Sequence, residues 1–143
     1  MGDDLAASNV NRTYSLAGTS IAIFTFTMIF LYPRYVSGEA NSLLFQVTLV
    51  VMAVSTFSYV FSTFHYYGAS MRDQLGDAER ASYARRGDRL WLLGTTLLFL
   101  VPSLVLFTIG LFAVGAVWLV LWVGYVLFVG RYFPRVQTSV KND

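Results

Sequence analysis

The sequence predicts an all-α integral membrane protein: a four-helix bundle of two transmembrane hairpins, with both termini and a polar loop between helices two and three facing the cytoplasm. Composition, charge spacing and loop charge lead there. Of 143 residues, 56% are hydrophobic and 13% charged, about half the charge of a soluble domain. The charged residues leave three free stretches, 13–33, 40–71 and 90–130, which hold two thirds of the chain. A helix needs about 20 apolar residues to cross the hydrocarbon core, so the first two stretches hold one span each. The third, with 41 residues, holds two.

Span one is expected over residues 15–32, after an N-terminal tail 1–13, with Pro33 just past its end and Tyr32 and Tyr35 as an interfacial belt. Span two, 42–67, starts at Asn41 or Ser42, either of which caps free backbone amides, and stops before Gly68. The polar loop 70–89 follows. Within it Asp77 and Asp88, each after a glycine, predict a short surface helix from Asp77 to Arg86 and a fresh start of span three at Asp88. Met71, Leu75 and Ala78 give that segment a weak apolar edge for the membrane surface. Span three, 90–109, contains Pro102, which removes one helical bond and predicts a kink. Span four, 113–130, follows a turn expected between Gly110 and Gly115, and a short basic tail covers 131–143. The whole reads as one transmembrane domain.

Loop charge sets the expected orientation. With both termini and the middle loop on one side, that side carries Arg12, Arg72, Arg80, Arg85, Arg86, Arg89, Arg131, Arg135 and Lys141, against Arg34 alone on the other. Positive residues concentrate on the cytoplasmic side, so the termini are placed there, in a cytoplasmic (plasma) membrane. The same placement accounts for the net charge of +2 without a nucleic-acid partner. The start, MGDDLAASNVNRT, is acidic before its first arginine, unlike a signal peptide, so span one is expected to be retained. Ala6 stands where a myristoylation pattern wants Ser or Thr.

Intramembrane ionisable residues mark ion pathways and catalytic centres, and the uncharged stretches offer only His65. No carboxylate pair, haem-ligating histidine pair or metal cluster falls in them, and there is no cysteine. The expectation is therefore a non-enzymatic protein with no catalytic residue, no metal and no cofactor.

Four sets of residues carry the candidate sites. Thr48, Ser55, Ser58, Ser62 and His65 fall within roughly 100° of one face of span two. Such a row either lines a hydrated path or bonds to carbonyls and lets helices approach closely. Trp118, Trp122 and Tyr125 share a face of span four, suited to helix packing or to a lipophilic ligand. Arg80, Arg85, Arg86 and Arg89 form the densest basic cluster, an anionic-lipid contact. Gly18 and Ala22 have the spacing of a close helix contact, within the chain or between copies, and with Pro102 they are the expected packing positions.

Four helices enclose little beyond their own side chains, so a conduit would arise between protomers. The leading expectation is an oligomeric conduit or an accessory subunit of a larger membrane partner. The alternative is a carrier or binder of a lipophilic small molecule or lipid. In either case membrane lipids are partners, alongside further copies of the chain or a larger membrane protein.

Overall fold

The computed structural model describes residues 2–71 and 75–139, with side chains over 8–71 and 75–131. Among these residues the chain forms α1 (Gly2–Val36), α2 (Ser42–Ser70), α3 (Asp77–Thr108) and α4 (Phe112–Ser139). All four are long and apolar enough to cross a membrane. Arg72, Asp73 and Lys141 lie outside the described residues, and of the Arg135 side chain nothing is described.

The helices run longer than the apolar stretches alone predict. α1 begins at Gly2, so the expected tail is helical; Leu5, Ala6 and Ala7 are strong helix formers, and Asp3 and Asp4 suit the positive helix end. It also runs past Pro33 to Val36, where the Pro33 carbonyl accepts from the Ser37 amide at 3.0 Å. What ends it is Gly38, at φ +79°, with paired bonds from Gly38 to Tyr35 and from Glu39 to Arg34. Gly110, at φ +82°, closes α3 in the same way, with bonds from Gly110 to Phe107 and from Leu111 to Leu106. Both are glycine C-caps that satisfy the last free carbonyls.

The expected break between a surface helix and span three is absent, for α3 is continuous from Asp77 through Asp88 and Pro102. Gly87 is there for close approach. A Cβ on it would meet carbons of the Tyr66 ring at 3.1 Å. Asp88 is an acceptor for the Tyr66 hydroxyl at 2.5 Å instead of a cap. Gly68 likewise sits inside α2, under the Tyr83 ring, so that helix reaches Ser70. The N-cap of α2 is Asn41, whose side chain accepts from the Leu44 amide at 3.0 Å.

α2 is the centre of the bundle, packed on α1 and most extensively on α3, while α4 packs on α3 alone among the described residues. Met52 and Tyr59 of α2 are wholly buried. Each seam is antiparallel and carries polar bonds seven residues apart. Between α1 and α2 the Thr63 hydroxyl donates to Thr13 at 2.9 Å, and Ser20 and Thr56 share a bond of 2.7 Å. Between α2 and α3, Ser62 donates to the Gly87 carbonyl and Ser55 to the Gly94 carbonyl, both at 2.8 Å. That register runs on at both ends, from Arg80 Nε to the Ala69 carbonyl at 2.9 Å and from the Asn41 amide to the Thr108 carbonyl at 3.2 Å. Between α3 and α4, Ser103 donates to the Gly115 carbonyl at 2.9 Å and Trp122 to the Thr96 carbonyl at 2.8 Å. Seven residues is just under two helical turns, the repeat that keeps one stripe facing its neighbour.

Candidate functional site

The arginine-rich end of the bundle gathers the starts of α1 and α3 and the end of α2. Arg12 is the last charged residue before the first apolar stretch, and Trp91 comes two residues after Arg89. They meet at this boundary, with the Arg12 guanidinium carbon 4.6 Å from the centre of the Trp91 ring. Stacking of this kind fixes an arginine without consuming its five donors. Among the described residues no carboxylate lies within salt-bridge distance of Arg12.

The pair stands at the mouth of a cleft of about 480 Å³. Because α4 leans only on α3, it leaves a gap on the side facing α1. Ser15 and Leu16 of α1 line one wall and Tyr125 of α4 the other, with Tyr59, Thr95 and Phe99 between them. The floor is held rigidly: the Tyr59 hydroxyl donates to Thr95 at 3.1 Å, and Thr95 donates to the Trp91 carbonyl at 2.9 Å. The indole N–H of Trp91 is buried with no acceptor among the described residues. Beside the mouth a smaller, polar recess of about 150 Å³ is bounded by Asn9, Thr13, Tyr66 and Asp88 together with Arg12 and Trp91 themselves.

Deeper in, Phe99 and Tyr125 meet edge to face at 5.1 Å between ring centres. The same two rings also border a separate apolar recess of about 170 Å³ lined by Trp118, Leu121 and Trp122. From Trp91 to Phe99 is eight residues, about 12 Å along the helix. The chain has three tryptophans, and each lines one of these two adjoining cavities.

The structure distributes the sequence-predicted residues as follows. Thr48, Ser55, Ser58 and Ser62 are buried in α2. Their hydroxyls are engaged inside the chain, Thr48 and Ser58 with the carbonyls of Leu44 and Val54 at 2.7 Å, Ser55 and Ser62 with α3. His65 is half-buried, its ring 5.8 Å from that of Tyr83. Trp118 and Trp122 do both of the things their spacing allows: their indoles donate to the Phe99 and Thr96 carbonyls at 3.1 and 2.8 Å, and their rings, with Tyr125, line the recess.

Arg85, Arg86 and Arg89 are exposed, while Arg80 is half-buried against the end of α2 and within 3.6 Å of Asp77. Gly18 and Ala22 lie on the exposed side of α1. Within the chain the packing face of α1 is formed instead by Thr13, Ala17, Ser20, Thr27 and Leu31. Gly18 borders an apolar groove of about 270 Å³ against α2, with Tyr14, Val60 and Phe64.

Sequence reasoning missed Tyr59, Trp91, Thr95 and Phe99, and took Arg12 for a topological charge alone. No local signal joins residues 12, 59, 91 and 125, which come from four different helices; only the position of Arg12 and Trp91 at equivalent charge boundaries pointed to a shared level. Compared with protein-family models, curated proteins and solved structures, the chain matches none.

Proposed function

We propose that the chain is a non-enzymatic multi-pass membrane protein that binds a lipophilic molecule in the cleft between α1 and α4. The observation that carries this reading is the cleft that Trp91, Phe99 and Tyr125 line, with a second aromatic recess on Trp118 and Trp122 against the same Phe99 and Tyr125. Its main chamber, about 480 Å³, falls within the range of small-molecule sites, roughly 300–1,000 Å³. Rings offer large apolar area at little conformational cost, which suits a flexible chain or a flat hydrophobe. By the positive-inside rule the mouth faces the cytoplasm, and the exposed Arg85, Arg86 and Arg89 rest on anionic headgroups of that leaflet.

The tryptophans make the reading testable without a label. Titrating the protein in neutral-lipid nanodiscs with a brominated long-chain alcohol is expected to quench their fluorescence saturably, near one equivalent. Ser15→Phe, which puts a bulky ring into one wall at an exposed position, is expected to abolish the saturable phase. Quenching that rises linearly with added probe, in both proteins alike, would reduce the cleft to ordinary lipid contact.

A further inference from the structure

The two ends of the cleft differ chemically in a way that a purely apolar ligand would not use. One end is a guanidinium stacked on Trp91, with no carboxylate within salt-bridge distance among the described residues, although Asp88 lines the same small recess. The other end, at Phe99 and Tyr125, is aromatic and apolar. Asp88, the nearest acid in sequence to Trp91, accepts from the Tyr66 hydroxyl at 2.5 Å. Arg12 is exposed and lines the mouth of the cleft, and its guanidinium has the fork geometry that matches a carboxylate or phosphate.

We infer that the occupant is an anionic amphiphile, with its carboxylate or phosphate oxygens on Arg12 and its hydrocarbon chain lying past Leu16 and Phe99 toward Tyr125. This rests on the cleft being the lipophile site proposed above, and adds the ligand's charge and direction. The polarity suits the setting. A headgroup at Arg12 sits level with the charge boundary of α1 and α3, so it stays in the interface while the chain enters the hydrocarbon. Ser15, which lines the cleft three residues on from Arg12, adds a hydroxyl just below the mouth.

The test is native mass spectrometry of the full chain in detergent, titrated separately with oleate, dioleoyl phosphatidylglycerol and dioleoyl phosphatidylcholine. The wild type is compared with Arg12→Gln, Arg12→Lys and Ser15→Phe, each first shown to keep the wild-type helical content. The wild type is expected to retain an anionic probe preferentially over phosphatidylcholine. Arg12→Gln is expected to lower that retention about tenfold, the effect of losing one charged hydrogen-bond pair, while leaving phosphatidylcholine unchanged. Arg12→Lys is expected to keep the preference. Whether oleate or phosphatidylglycerol binds more tightly identifies the source of the anion, a free fatty acid or a phospholipid.

An unchanged anionic preference in Arg12→Gln, or none in the wild type, overturns the inference. If Ser15→Phe still removes binding in that case, the cleft as a lipophile site stands and only the anionic headgroup falls. If Ser15→Phe leaves all binding intact, the site itself is misplaced and both readings fall together.

Discussion

The Ser62 hydroxyl donates to the Gly87 carbonyl at 2.8 Å, one heptad from an identical bond between Ser55 and Gly94. In both cases a glycine brings the α3 backbone close enough for the serine to reach it, and a tyrosine one turn on in α2 covers the glycine. The missing Cβ of Gly94 would lie 3.1 Å from the Ser55 carbonyl oxygen and from the Tyr59 ring. Lipid provides no hydrophobic drive for helices to associate, so close packing and polar bonds have to select the register.

Of these two contributions, packing is expected to dominate. Ser55→Ala removes a bond worth roughly 0.6 kcal/mol in membrane helices, since the Gly94 carbonyl keeps its other partner. Gly94→Ala forces a backbone oxygen to move, at about 1–3 kcal/mol, against at most about 1 kcal/mol gained in helix propensity. Gly94→Leu is expected to separate the helices and prevent folding. Equilibrium unfolding in mixed micelles would check the order; a Gly94→Ala midpoint equal to the wild type would count against the contact.

Tyr66 and Asp88 are expected to respond asymmetrically. Tyr66 is buried and Asp88 is not fully so. Asp88→Ala strands a buried hydroxyl, costing about 1–3 kcal/mol, whereas Tyr66→Phe leaves a carboxylate that water can still reach. The double variant should therefore recover part of the Asp88→Ala loss, with a coupling of about 1 kcal/mol in the same unfolding assay. Strictly additive losses would show that the bond contributes nothing to stability.

How far the sequence revealed this arrangement depends on the kind of feature. Span number follows from bulk physics: 41 uncharged residues from 90 to 130 cannot cross a membrane once. Helix ends were harder, because Gly87 and Gly68 carry the same symbol as Gly38 and Gly110. The first two serve contact and the last two a positive φ, and only the approach of Tyr66 and Tyr83 distinguishes them. The hydroxyl row of α2 was visible as a stripe, yet its partners, the carbonyls of Gly87 and Gly94, have no side-chain signature. The cleft was least legible. It exists because α4 leans on α3 and not on α1, and helices that are apolar all round do not encode which neighbour they choose.

That lean makes α4 the weakest element. Three side-chain bonds hold it on α3, one from Ser103 of α3 to the Gly115 carbonyl of α4 and two from Trp118 and Trp122 of α4 to the Phe99 and Thr96 carbonyls of α3. Trp122→Phe removes a single bond, worth about 1 kcal/mol, but Trp122→Ala also removes the ring that fills the seam. Hydrogen exchange in detergent should show residues 112–131 losing protection in Trp122→Ala while residues 48–66 keep theirs. Uniform loss across both segments would mean that α4 unfolds only with the rest of the bundle.

The orientation prediction turns on charge and is open to direct chemical labelling. The end of the bundle bearing Arg12, Arg80, Arg85, Arg86 and Arg89 is opposite the turn that carries Arg34. Arginines near span ends resist translocation, and short connections such as that between α2 and α3 follow this bias closely. The chain contains no cysteine, so one introduced thiol reports one position. Ser37→Cys in the α1–α2 turn and Glu79→Cys at the start of α3 replace exposed residues at opposite ends. In intact cells a membrane-impermeant maleimide is expected to label Ser37→Cys and spare Glu79→Cys, with the pattern reversed in inverted vesicles. The opposite result would place Arg12 on the outer face, and the source of any anionic amphiphile would then have to be sought in the outer leaflet.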